Sequence, residues 1–150
     1  MEERKASPGR ALQAVAVLLI LTGLGTVAFW IAFFADYEAQ KAGILAQRCA
    51  AWFLWERSFV LADGWAALAC FLGGIGLWRK RAWGAAWAWV AAGALVFLGL
   101  MDFLFFAQNG LYRPLHPEVI LEAAIHLWVV GFGLATLALV RRHWAELSTD

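Results

Sequence analysis

Charge is scarce in this chain. Of its 150 residues only 15% are Asp, Glu, Lys or Arg, where an ordinary soluble domain carries about one quarter. The remainder is oily: 63% of residues are hydrophobic, ten are Trp and the mean hydropathy is +0.69. That balance describes an integral membrane protein whose first partner is the lipid bilayer. A net charge of +1 leaves no basic face able to neutralise a row of phosphates, and nucleic acid is not an expected partner. Cysteine is limited to Cys49 and Cys70, far apart and outside any C-x-x-C, so thiol-disulfide chemistry and cysteine-rich zinc sites lack their usual spacing. Both read as small apolar residues. Histidine is equally sparse, and His126 alone falls at membrane depth, whereas zinc takes three or four ligands. No cofactor and no resident metal are expected.

What is present is apolar sequence in four long runs. A spanning helix needs about 20 apolar residues to cross roughly 30 Å of hydrocarbon, and residues 11–34, 58–78, 82–107 and 119–140 each supply them. The first run follows the positive leader MEERKASPGR, but it is about twice the length of a signal-peptide core and ends without a small-x-small cleavage site, so it is expected to stay as a helix. The second and third are joined only by RKR, and Pro114 and Pro117 break the chain just before the fourth. The expected fold is therefore all-α, a four-helix transmembrane bundle forming one domain. Arg4, Lys5 and Arg10, then Arg79, Lys80 and Arg81, then Arg141 and Arg142 fall on one side, against a thinner spread of Lys41, Arg48, Arg57 and Arg113 on the other. The positive-inside rule puts both termini in the cytoplasm, in a multi-pass protein of the cell membrane, the inner membrane of a bacterium. Trp78, Trp83 and Trp144 then lie near the inner interface and Trp30, Trp52 and Trp55 near the outer one.

The outer segment from Asp36 to Trp55 is longer than a hairpin requires. It is expected to form a helical extension or an interfacial helix with Ile44, Leu45, Trp52, Phe53 and Trp55 as its greasy side. Gly23, Gly25, Gly73, Gly74, Gly76, Gly93, Gly99, Gly131 and Gly133 mark expected helix contacts, because membrane helices associate by close backbone approach.

The acids are sorted by side. Glu2, Glu3, Glu146 and Asp150 belong to the tails, while Asp36, Glu38, Glu56, Asp63, Asp102, Glu118 and Glu122 fall toward the outer end, joined by Asn109 and His126. Asp63 is fifteen residues from Trp78 and His126 fifteen from Arg141, which at 1.5 Å per residue places both about 22 Å above the inner boundary, with Asp102 and Glu122 near 30 Å. Glu56 and Asp63 are two helical turns apart and share a stripe if the second helix begins early enough; Glu118, Glu122 and His126 repeat every four residues. A charge at membrane depth costs at least about 2.5–3.5 kcal/mol, so these groups are expected to face the bundle interior, offset in part by Arg57 or Arg113. Asp102, at a helix C-terminus where the dipole disfavours an anion, wants a partner of its own in Arg113 or His126; Gly110, in the helix stop QNG, suits a left-handed cap.

Three functions fit such a group. It can be a hydrogen-bonded plug that sets helix register; a cavity for a small lipophilic or cationic ligand, closed by carboxylates and rimmed by aromatics; or a reacting centre in a membrane enzyme, with His126 and Asp63, Asp102 or Glu122 as acid, base or metal ligands. The expected ligand-binding residues are Glu56, Asp63, Asp102, Asn109, Glu122 and His126, with Trp55 and Trp65. Homo-oligomerisation or docking to a membrane partner subunit is compatible with all three.

WERSFVLADGW opening the second span, GGIGLWRKR closing it and LMDFLFFAQNGLY closing the third resemble small four-helix membrane proteins of bacteria, YvaD-like, over most of the chain. That resemblance implies architecture and no activity. More distantly the chain is similar to the sterol isomerase and sigma-2 receptor group, whose bundles hold a lipophilic amine or sterol against buried acids. The likeness implies Asp36 and Glu56 or Asp63 as ligand acids, although the second loop here is much shorter and the residues around the acids differ.

Overall fold

The computed structural model describes residues 8–147; Arg4 and Lys5 of the leader, with Glu2, Glu3 and Asp150, lie outside the described residues. Four helices are long and apolar enough to cross a membrane: α1 (Pro8–Ala35), α5 (Val60–Trp78), α6 (Ala82–Gln108) and α7 (Pro117–Arg142). Between α1 and α5 run three short helices, α2 (Tyr37–Ala42), α3 (Ile44–Arg48) and α4 (Trp52–Ser58), and α8 (Trp144–Leu147) follows α7. The protein is a multi-pass helical bundle, with span ends within three residues of those expected from hydropathy.

Local chemistry explains those ends. Pro117 occupies the first turn of α7, where its missing N–H costs nothing and its ring presets φ. Gly110 takes φ +63° after α6, and the Leu111 N–H then reaches the Phe106 carbonyl at 2.9 Å, so the last carbonyls of the helix are satisfied by a Schellman-type cap. At the other end, the three-residue turn between α5 and α6 puts Lys80 at φ 53° and returns the Arg81 N–H to the Gly76 carbonyl.

Packing follows the small residues. A Cβ on Gly76 would stand 2.3 Å from the Cα of Gly84, and one on Gly73 2.8 Å from the Ala88 nitrogen, so α5 and α6 touch backbone to backbone. Gly23, Gly74, Gly99 and Gly133 also meet close neighbours, whereas Gly25, Gly93 and Gly131 have nothing within 4 Å of an added Cβ and make no such contact. Helix α1 packs on α5, α5 on α6 and α6 on α7, while α7 and α1 barely meet. The bundle is thus an arc with one loose seam.

One core, including Leu12, Leu19, Cys70, Leu77, Ala88 and Val140, fills the end that holds the Arg79–Arg81 turn. A second core closes the opposite end, and here the expected interfacial helix is replaced by something else. Leu45, Trp52 and Phe53 are buried against Trp30, Phe33, Phe106 and Leu111, with Phe53 stacked on Phe33 at 5.6 Å. The greasy side of this segment faces protein because the aromatic tips of α1 and α6 offer it a drier surface than headgroups would. Its three short helices form a cap on the bundle. Arg48 fastens the cap, donating to the carbonyls of Leu111 and Gly110, both at 3.0 Å, and to that of Arg113.

Candidate functional site

Beneath the cap, between α1 and α7, lies a cavity of about 490 Å³, a volume suited to a small organic molecule. Its floor and walls are apolar, formed by Leu18 and Leu21 of α1, Leu95 and Leu98 of α6, and Ile125 and Val129 of α7. Toward the cap it turns acidic. Glu56 arrives from α4, Asp63 from α5, Asp102 from α6, and Glu122 with His126 from α7, so four elements deliver one titratable group or more to the same space. Helix α1 brings hydroxyls only, Thr22 and Thr26, spaced four apart so that both fall on the cavity face.

Glu56 and Asp63 do share a wall. Helix α4 does not simply continue α5; the chain turns through Phe59, whose φ of −89° and ψ of −7° stay helical enough to keep the two acids on one side. The Asp63 N–H closes on the Phe59 carbonyl at 2.8 Å across that junction.

Indoles hold the aspartates. Trp30 Nε1 donates to Asp63 Oδ2 at 3.0 Å, and Trp55 Nε1 donates to Asp102 Oδ1 at 3.4 Å, with the Trp55 ring stacked on Phe105 at 4.5 Å. Each bond uses one carboxylate oxygen. The partner expected for Asp102, Arg113 or His126, is thereby corrected to an indole. Arg57 donates instead to the Tyr37 hydroxyl at 2.8 Å, and among the described residues no ion pair joins Arg57 or Arg113 to these acids. Among the described residues no Lys or Arg lines the cavity. A guanidinium would need to give up its hydration to reach there, and both stay exposed, Arg57 on α4 and Arg113 in the α6–α7 loop.

On the α7 wall, His126 is only 4% exposed. Its Nε2 lies 3.8 Å from Glu122 Oε2, one turn back on the helix, and its Nδ1 is 2.9 Å from the hydroxyl of Tyr112 in the α6–α7 loop. Phe106 meets the imidazole edge-on at 4.8 Å and fixes its plane. Carboxylate, imidazole and phenol therefore stand in a line from cavity to cap.

Electrostatics inside this space are dominated by burial of like charges. The Glu56 carboxyl, half-buried in the cavity wall, titrates well above the ordinary glutamate range, first because burial penalises its charge and then because Glu122, Asp102 and Asp63 repel it. Tyr112, half-buried, is also raised, by burial first and then by Asp102 and Glu122. Among the described residues no three or more His, Cys, Asp or Glu side chains are arranged to hold a metal ion.

Several expected site residues stand elsewhere. Trp65 is half-exposed on the outside of α5, against Trp87 at 5.7 Å; Asn109 caps α6 through a bond to the Phe105 carbonyl at 2.8 Å; Glu118 and Asp36 are exposed. None of the four lines the cavity. Trp65 is two residues beyond Asp63, and that step turns it away by more than a right angle. Residues that the acids alone did not reveal are Thr22, Trp30, Tyr112 and Trp128. Thr22, Gly25, Thr26 and Phe29 form an i, i+3, i+4, i+7 stripe in an otherwise aliphatic helix, and that stripe was a readable sign.

Trp128 closes the loose seam. Its Nε1 donates to Thr22 Oγ1 at 3.1 Å, bridging α7 to α1, and its ring stacks on Phe132 at 5.0 Å. Leu21, Gly25 and Trp128 line the cavity yet are exposed on the bundle's outer surface, so the seam is where the cavity meets the surroundings of the spans. No protein-family profile, curated protein or solved structure matches the chain.

Proposed function

We propose that the protein binds a small lipophilic cation in this cavity, its charged head against the carboxylates and its apolar body along α1, α6 and α7. The observation that carries the reading is the pairing, in one space, of four acids, with no Lys or Arg among the described residues that line it, and an aliphatic floor. A packed polar plug would set these acids in contact with one another, whereas a void of about 490 Å³ separates the walls. The resemblance to the sterol isomerase and sigma-2 receptor group implies the same ligand class through Asp36 and Glu56 or Asp63, of which Asp36 does not line the cavity. Access through the α1–α7 seam suits a ligand that partitions into the bilayer, since it need never cross the aromatic cap. By the charge bias of the loops the cap faces outward, with both termini cytoplasmic, in a bacterial inner membrane.

The test is binding of decyltrimethylammonium, one permanent charge on one alkyl chain, to the full chain in zwitterionic nanodiscs, followed by tryptophan fluorescence. Saturable binding beyond that of empty discs is expected, weakened at least about tenfold, or about 1.4 kcal/mol, by Asp63→Asn with Asp102→Asn. Decanol, of the same length without the charge, should bind more weakly. Equal affinity of the two probes, or of parent and double variant, rejects the reading.

A further inference from the structure

The acids that would hold such a cation cannot all be ionised while the cavity is empty. Glu56 of α4, Asp63 of α5, Asp102 of α6 and Glu122 of α7 share one low-dielectric space, α1 contributes only hydroxyls and the Trp30 indole, and the sole base facing them is His126. Glu56 makes the point by itself: its carboxyl is half-buried in the cavity wall, faces three other acids and has no hydrogen-bond or ion-pair partner among the described residues. A buried, unpartnered carboxylate is unstable, and it takes a proton until another positive charge arrives.

The geometry points to a proton–cation exchange site: each monovalent cation that enters displaces one proton from the four-acid group, and that proton leaves through His126 and Tyr112 to the capped end. This rests on the cavity being a cation site. The exchange balances, since a carboxylic acid plus a cation becomes a carboxylate–cation pair plus a proton, with the charge inside the protein unchanged. The exit is built from the observed line of groups. Glu122 gives its proton to His126 Nε2; the Nδ1 proton crosses 2.9 Å to the Tyr112 oxygen; the phenol releases its own to water at the cap. The 3.8 Å between Glu122 and His126 closes by a side-chain rotation within one helical turn. When the cation leaves, a proton returns along the same line and restores the starting tautomer. Tyr112 is a positioning and relay group, outside the spans and half-buried, where water can reach it.

Decyltrimethylammonium has no proton to lose, so any proton released on its binding comes from the protein. With the full chain in lightly buffered zwitterionic nanodiscs and a soluble pH dye, about one proton per bound probe is expected, and affinity should rise with pH, by up to about tenfold per unit, in a titration from about pH 5 to about pH 9. Binding without proton release, and with affinity flat across that range, overturns the exchange while leaving the cation site standing; failure to bind at every pH overturns both. Tyr112→Phe keeps the ring and removes the hydroxyl, so stopped-flow should show proton appearance slowed about tenfold at unchanged stoichiometry and affinity. An unchanged rate removes Tyr112 from the exit. Glu122→Gln, which leaves three acids but removes the carboxyl beside His126, should likewise slow proton appearance about tenfold, and a rate equal to the parent's overturns the route.

Discussion

Single side chains set the character of the cavity through whom they bond. Asp63 and Asp102 are each steadied by an indole N–H that could have stayed at a membrane interface, and in this way two acids keep hydrogen bonds without any cation beside them. Glu56 has no such donor. A carboxyl that is held protonated in the fold contributes stability below its unfolded pKa and loses that contribution as pH rises through its raised folded value. Glu56→Gln keeps a neutral group at every pH. Its melting temperature in detergent should therefore match the parent's near about pH 4 and exceed it by about 2–4 °C in the neutral and alkaline range. A variant less stable than the parent at alkaline pH would show instead that Glu56 is ionised and partnered in the native state.

At the level of helices, the decisive contrast is between backbones that touch and a seam that does not. The α5–α6 pair is sealed by Gly76 against Gly84, where an added methyl group would meet backbone that cannot rotate away. Gly76→Ala should cost about 1–3 kcal/mol by overpacking, while Gly93→Ala, with open space around it, should be neutral or slightly stabilising because alanine favours helix. Thermal unfolding of the two variants in the same detergent measures the difference, and a Gly76→Ala protein as stable as Gly93→Ala would mean that α5 and α6 stand further apart. The α1–α7 seam lacks this close approach, and a single indole-to-hydroxyl bond, Trp128 to Thr22, bridges it beside the cavity. Tight packing on three sides makes the fourth the natural route in.

For the whole molecule, the two ends differ in kind. One is a tight cationic turn beside both described chain ends; the other is an aromatic cap pinned by Arg48 over a set of acids. The proposed orientation, with the cavity outward, rests on that asymmetry and on the positive-inside rule. In a background of Cys49→Ala and Cys70→Ala, Lys80→Cys should react with an impermeant maleimide only from the inner face and Gln47→Cys only from the outer face, both positions being exposed. The reverse labelling would place the acids toward the cytoplasm.

The spans were legible because the bilayer imposes one length and one polarity on any helix that crosses it, and composition alone reports both. The depth of the acids was legible for a related reason: a fixed rise per residue converts sequence position into height. Height carries no azimuth between helices. Asp63 and Trp65 are two residues apart, yet only Asp63 faces the cavity. Which groups meet across the bundle depended on the order in which the helices pack, on the turn at Phe59 that brings Glu56 alongside Asp63, and on the fold-back that made residues 37–58 a cap. The sequence by itself determined a four-span helical membrane protein with acids gathered at one end. Tertiary structure alone decided that they surround a void, because a void is what remains when α1, α5, α6 and α7 close on three contacts and leave the fourth open.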